Sequence, residues 1–147
     1  MMKIGKEFHW EMGHRLPTHT RGCQNIHGHS YRLMVEVEGE PGANGMLVDY
    51  TDLKAIVKPM IDRLDHSFMC DESDTRVKDF LESSAMKTVF VPFPTTAENI
   101  GTYLLRHLTD AVMKEKSSGS RAWDGIKKIR IRVCETASTY AEMEATL

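Results

Sequence analysis

The stretch Cys23-Gln24-Asn25-Ile26-His27-Gly28-His29 runs directly into Ser30-Tyr31-Arg32-Leu33-Met34-Val35-Glu36-Val37. From Tyr31 onward the residues alternate as in a strand with one face against a core. Successive side chains of an extended chain point to opposite faces, so His27 and His29 prolong the buried face, about 7 Å apart along it. Gly28 between them leaves room for the backbone to bend and for a ligand to come close. Two imidazoles on one face can meet one ion, and a catalytic zinc site takes three protein ligands while keeping a fourth position open. A lone His-x-His pair is equally compatible with an ordinary strand end. Cys23 stays open to three readings: a reactive thiol, a fourth ligand that closes a structural site, or a small core residue.

Working outward toward the N-terminus, Ile4, Phe8, Trp10 and Met12 share one parity, which predicts a strand with one buried face; His14 has the same parity and either ends that strand or joins the ion. The loop from Arg15 to Gln24, with Pro17 and Gly22, delivers the chain to Cys23. Toward the C-terminus, Gly39 to Gly45 is rich in turn residues, and Met46 to Tyr50 reads as the return strand of a hairpin. Leu53, Ile56, Val57, Met60, Ile61 and Leu64 line one face of a helix over Thr51 to Leu64, with Pro59 expected to kink it. Residues 67 to 85 are polar and weakly patterned, a long loop with a helical turn around Val77 to Leu81.

Met86 to Val91 reads as a short strand, ended by Pro92 and Pro94. Thr95 with Glu98 forms a capping-box pattern ahead of a second amphipathic helix that runs to about Lys114. Ile126 to Cys134 alternates again, and Glu135 continues the apolar parity of Ile129, Ile131 and Val133. A carboxylate there needs a partner or a ligand. Tyr140 to Leu147 is the last strand. The order of elements predicts an α+β fold with helices on one face of an antiparallel sheet.

The chain has 147 residues, enough for one domain with its own core, and its net charge of -2 gives no reason to expect a nucleic-acid partner. Cys23, Cys70 and Cys134 are an odd set at unrelated spacings, which argues for a reducing compartment rather than a disulfide framework. No apolar signal segment opens the sequence and no window has the length of a membrane span, so a cytoplasmic location is expected, with no membrane partner. His9, His19 and His107 read as surface or packing residues, Cys70 and Cys134 as inert, and Tyr31 as core. Lys128, Arg130 and Arg132 read as a solvated strand face, with contact to a phosphate tail as the alternative.

Five segments together resemble one known family: Phe8-His9-Trp10-Glu11-Met12-Gly13-His14, Cys23-x-x-x-His27-Gly28-His29, Leu64-Asp65-His66, Pro94-Thr95-Thr96-Ala97-Glu98-Asn99 and Cys134-Glu135-Thr136. In this order they look like the motif set of the 6-pyruvoyl-tetrahydropterin synthase and 6-carboxy-tetrahydropterin synthase superfamily. The resemblance implies a tunnelling fold (T-fold): a four-stranded antiparallel sheet with two antiparallel helices on one face, joined into a barrel in a homohexamer built as a dimer of trimers. It implies Zn(2+) held by His14, His27 and His29, a catalytic Cys23, and an Asp65-His66 pair that completes proton transfer. It also implies that Glu135 holds the pterin ring, with Thr95 and Thr96 adding polar contacts. The three residues between Cys23 and His27 resemble the queuosine-pathway branch, which implies conversion of 7,8-dihydroneopterin triphosphate to 6-carboxy-5,6,7,8-tetrahydropterin, acetaldehyde and triphosphate. The biopterin-pathway reaction, elimination of triphosphate to a 6-pyruvoyl product, is the alternative. A reading of another class is a non-catalytic zinc protein with Cys23 as fourth ligand. Family members often continue Leu-Asp-His with a Leu-Asn pair shortly after, where this chain has Ser67-Phe68-Met69-Cys70.

Overall fold

The computed structural model describes residues 1–147. In chain order its elements are β1 (Met2–His14), β2 (His27–Gly39), α1 (Tyr50–Leu64), β3 (Ser67–Asp71), α2 (Thr75–Glu82), β4 (Thr88–Val91), α3 (Ala97–Ser117), β5 (Ile126–Cys134) and β6 (Ala141–Thr146), with a short 3-10 turn over Gly22–Gln24. β1 and β2 pair antiparallel along their whole length, from Met2 opposite Gly39 to His14 opposite His27. Both strands alternate, so one register sends Trp10, Met12, Tyr31, Leu33, Val35 and Val37 into the core together. Trp10 and Tyr31, directly opposite, stack with ring centroids 4.9 Å apart.

The sheet corrects the four-stranded antiparallel expectation. It has six strands in the order β4-β3-β1-β2-β5-β6; β1, β2, β5 and β6 form an antiparallel half, and β3 and β4 join beyond β1 in parallel. Met46 to Tyr50 is not a strand, because the edge of β2 that a hairpin return would use is taken by β5, from Arg32 opposite Cys134 to Gly39 opposite Ile126. Leu47 and Val48 instead plug the core from a loop, and Asp49 caps α1 by accepting from the Thr51 N–H at 2.7 Å. At the crossing of Gly39 and Gly125 the backbones approach so closely that a Cβ on Gly39 would lie 1.9 Å from the Gly125 carbonyl oxygen.

The polar segment after His66 likewise departs from expectation: it is β3 followed by α2 rather than a long loop. Met69 of β3 faces the main core while Cys70 packs with Val77, Leu81, Phe68 and Phe90, so α2 covers the face of this half-sheet opposite α1 and α3. α1 and α3 pack against each other and bury Leu53, Val57, Ile61 and Leu64 from one, and Ile100, Leu104, Leu108 and Val112 from the other. Pro59 is exposed within the continuous span of α1, where water can reach the Ala55 carbonyl that loses its helical donor. Lys128, Arg130 and Arg132 are matched by carboxylates: Glu144 takes Lys128 at 3.2 Å and Arg130 at 2.7 Å, and Glu142 takes Arg132 at 2.7 Å. No helix is long and apolar enough to cross a membrane.

Candidate metal centre and active site

Three histidines meet at the end of the β1–β2 ribbon. His14 and His27 are direct cross-strand partners, and His29 sits two residues along on the same face. One nitrogen from each lies within 4.8 Å of the others, and the cluster contains no cysteine or carboxylate. Two of the rings are aimed from behind by backbone. His14 Nδ1 is 2.8 Å from the Thr95 carbonyl oxygen, and His27 Nδ1 is 2.7 Å from that of Asn25. A carbonyl can only accept, so each Nδ1 donates, which leaves Nε2 as the ring atom free to face a metal, the arrangement that orients histidine toward one.

The electrostatics point the same way. His14 is 2% exposed, and its Nε2 is a buried acceptor with no hydrogen-bond partner. Burial lowers its pKa to about 4, and the neighbouring histidines push in the same direction against the Thr95 bond. His29 is also lowered, first by burial. Glu135 Oε1 lies 3.8 Å from the His14 Nε2, and since His14 is neutral at pH 7 this is a lone pair facing a carboxylate, not an ion pair. Imidazole lone pairs converging beside a carboxylate suit a divalent cation, and a donor set of three nitrogens leaves a coordination position for another ligand.

Glu135 follows β5, one position past the Arg32/Cys134 pair, which puts it across from Tyr31. The Tyr31 hydroxyl donates to Glu135 Oε1 at 3.3 Å, and burial together with that carboxylate pushes the phenol pKa upward, so it remains a donor. Tyr31 is therefore a core ring whose hydroxyl reaches Glu135, visible in the sequence only as the residue sharing parity with His29. Thr95 is not the cap of α3. Thr96 takes that place, accepting from the Asn99 N–H at 3.2 Å, while the fully buried Thr95 supports His14 and donates its hydroxyl to the Arg15 carbonyl at 3.3 Å.

Cys23 lies partly buried in the turn Gly22–Gln24, outside the cluster of nitrogens, and all three cysteines are free. The Asp65-His66 pair forms as a contact, with His66 Nδ1 3.0 Å from Asp65 Oδ2. Asp65 also accepts the Glu11 N–H at 2.9 Å, the largest cause of its lowered pKa, and His66 holds the left-handed φ of 58°. The pair does not join the histidine cluster. His66 is exposed and borders a depression of about 400 Å³ lined by Glu11, Gly13, Gly28, Ser30 and Ser67, with Met12 and His29 adjoining. Glu11, Gly13, Gly28 and Ser30 have the parity opposite to the histidines, while Met12 and His29 share it, so the depression wraps the end of the ribbon beside the cluster without including His14 or His27.

Residues 3–146 match the 6-pyruvoyl tetrahydropterin synthase family. The chain belongs to this family. It is 37% identical to the 6-carboxy-5,6,7,8-tetrahydropterin synthase of Haemophilus influenzae over 98% of this chain and 99% of that protein. It is 31% identical to the protein of the same name from Aquifex aeolicus, over 95% and 96% of the two. Among solved structures, 6-pyruvoyl tetrahydropterin synthase from Plasmodium falciparum superposes with a TM-score of 0.74 at 20% identity, covering 99% of this chain and 98% of that one. A catalytic-residue mutant of the Plasmodium vivax enzyme gives 0.76 at 18%, with the same coverage, a likeness of fold.

Proposed function

We propose that the chain is a zinc-dependent 6-carboxy-5,6,7,8-tetrahydropterin synthase of the queuosine (7-deazapurine) pathway, acting on 7,8-dihydroneopterin triphosphate in the cytoplasm. The observation that carries the reading is the placement of Glu135 within 3.8 Å of a three-histidine cluster, in a chain similar end to end to synthases of that name. Glu135 accepts paired hydrogen bonds from the pterin amino group and adjacent ring nitrogen, with Tyr31 holding one of its oxygens in place. The substrate side chain then extends toward His14, His27 and His29. These hold zinc, which when bound supplies Lewis acidity toward the side-chain hydroxyls. Cys23 takes a proton from the adjoining carbon, and His66, oriented by Asp65, completes proton transfer. Thr95 serves by holding His14, and Thr96 caps α3, with polar contacts to the ring as the further role assigned to both.

Closed coordination through Cys23 is disfavoured by the make-up of the cluster, which gathers nitrogens alone. The deciding experiment is incubation of the metal-loaded protein with 7,8-dihydroneopterin triphosphate and mass analysis of the products. Acetaldehyde with 6-carboxy-tetrahydropterin supports the reading, triphosphate with a 6-pyruvoyl product moves the chain to the biopterin-type reaction, and unchanged substrate overturns both. His27→Ala or His29→Ala should lose most of about one zinc per subunit; full occupancy in both variants would remove the metal assignment.

A further inference from the structure

We propose that Arg15 and Asp74 form a positioning clamp that fixes the Cys23 turn relative to the histidine cluster. Arg15 directly follows His14 at the end of β1, and its guanidinium engages Asp74 through both prongs, Nε to Oδ2 at 2.6 Å and Nη2 to Oδ1 at 2.8 Å. Asp74 is the N-cap residue of α2; the Val77 N–H helps to lower its pKa, but the first cause is Arg15, and the carboxylate's two close bonds go there rather than to a helix cap. It is 6% exposed and committed to Arg15. A guanidinium held in this bidentate fork has a fixed plane, and the remaining prong is directed elsewhere. Here Nη1 donates to the Gln24 carbonyl at 3.3 Å, and the next residue, Leu16, donates its N–H to the Cys23 carbonyl at 2.8 Å. The turn bearing the thiol is thus tied at adjacent carbonyls to the segment that leaves His14, and that segment is anchored by α2. Gly22 and Gln24 are exposed and Cys23 is only partly buried, so packing contributes little to hold the turn.

The inference rests on reading Cys23 as the proton acceptor, and the test separates the two. Asp74→Asn keeps the shape of the side chain and removes the charge-assisted fork; Arg15→Lys keeps the charge and removes the planar geometry, and serves if the first variant fails to fold. In both, amide hydrogen exchange at Leu16 should quicken by about tenfold, and Cys23 alkylation in the metal-loaded protein should rise severalfold, because the tie is loosened. Turnover should fall by about ten- to a hundredfold with KM and zinc content near wild type, as expected when a reacting group is misplaced while substrate binding stays intact. Asp74→Glu should recover most of it. Unchanged exchange at Leu16 and unchanged alkylation overturn the clamp, even if the variants melt earlier. If instead Cys23→Ala keeps full turnover, the reading of Cys23 fails, while exchange at Leu16 still decides the clamp.

Discussion

Cys23, Glu135 and His14 separate three jobs that a single activity measurement would merge. Cys23→Ala removes the proposed base and no nitrogen of the cluster, so metal content and pterin affinity should survive while turnover drops about a hundredfold or more. Loss of zinc in that variant would show the thiol to be a ligand. Glu135→Ala should leave zinc in place and weaken pterin binding by about 2 to 3 kcal/mol, since charge-assisted bonds to the ring disappear; titration with a pterin measures it. His14 contributes to the response of the metal-free protein to acid. Its folded pKa of about 4 lies below the unfolded value of 6.5, so the unfolded chain binds the proton more readily. The stability tied to the neutral ring is complete above about pH 6.5 and is lost as pH falls toward 4, about 3 kcal/mol in all, with His29 acting in the same direction. Denaturant midpoints of metal-free protein across that window should fall with pH, and His14→Gln should flatten the fall.

Neighbouring threonines at the start of α3 have been given unlike tasks by their surroundings. Thr96→Ala should cost about 1 kcal/mol of stability through the missing cap and leave metal affinity alone. Thr95→Val, which removes the hydroxyl beside the His14 Nδ1, should weaken metal binding by about tenfold with less effect on stability, as judged by metal competition and thermal melts. Only Thr95 has a glutamate three residues on, so spacing assigns the cap to Thr95; the need of buried His14 for an acceptor decides otherwise. The same distinction runs through the fold. The faces of β1 and β2 were legible because a period of two fixes them, which placed His14, His27 and His29 on one side in advance. β3 was not, because Ser67–Asp71 is covered on both faces, by the main core and by α2, and shows no alternation to read. The return strand at Met46 failed for a non-local reason: β5, far along the chain, occupies the edge it needed. The Arg15–Asp74 clamp spans 59 positions and left no trace in spacing.

At the scale of the whole molecule, the placement of Asp65-His66 bears on how the site is completed. In one chain His66 borders a depression that reaches His29 but neither His14, His27 nor Glu135. A His66 that exchanges protons with a substrate held at Glu135 could be supplied by another copy, which complementation tests. The sheet invites such an assembly, since β4 and β6 end it and an uncovered edge strand presents unpaired backbone groups to a further strand. A hexamer made of two trimers would join sheets edge to edge and set residues of one chain beside the site of its neighbour. The expected behaviour is complementation: Cys23→Ala and His66→Ala chains are each inactive alone, but mixed oligomers assembled after dissociation regain activity. With equal amounts and random assembly, about a quarter of sites should receive both intact groups, so activity should approach about a quarter of wild type. Sedimentation of the wild-type chain should show the oligomer at micromolar concentration. Mixed oligomers that stay inactive would mean that Cys23 and His66 act within one chain, and an active monomer would remove the need for assembly altogether.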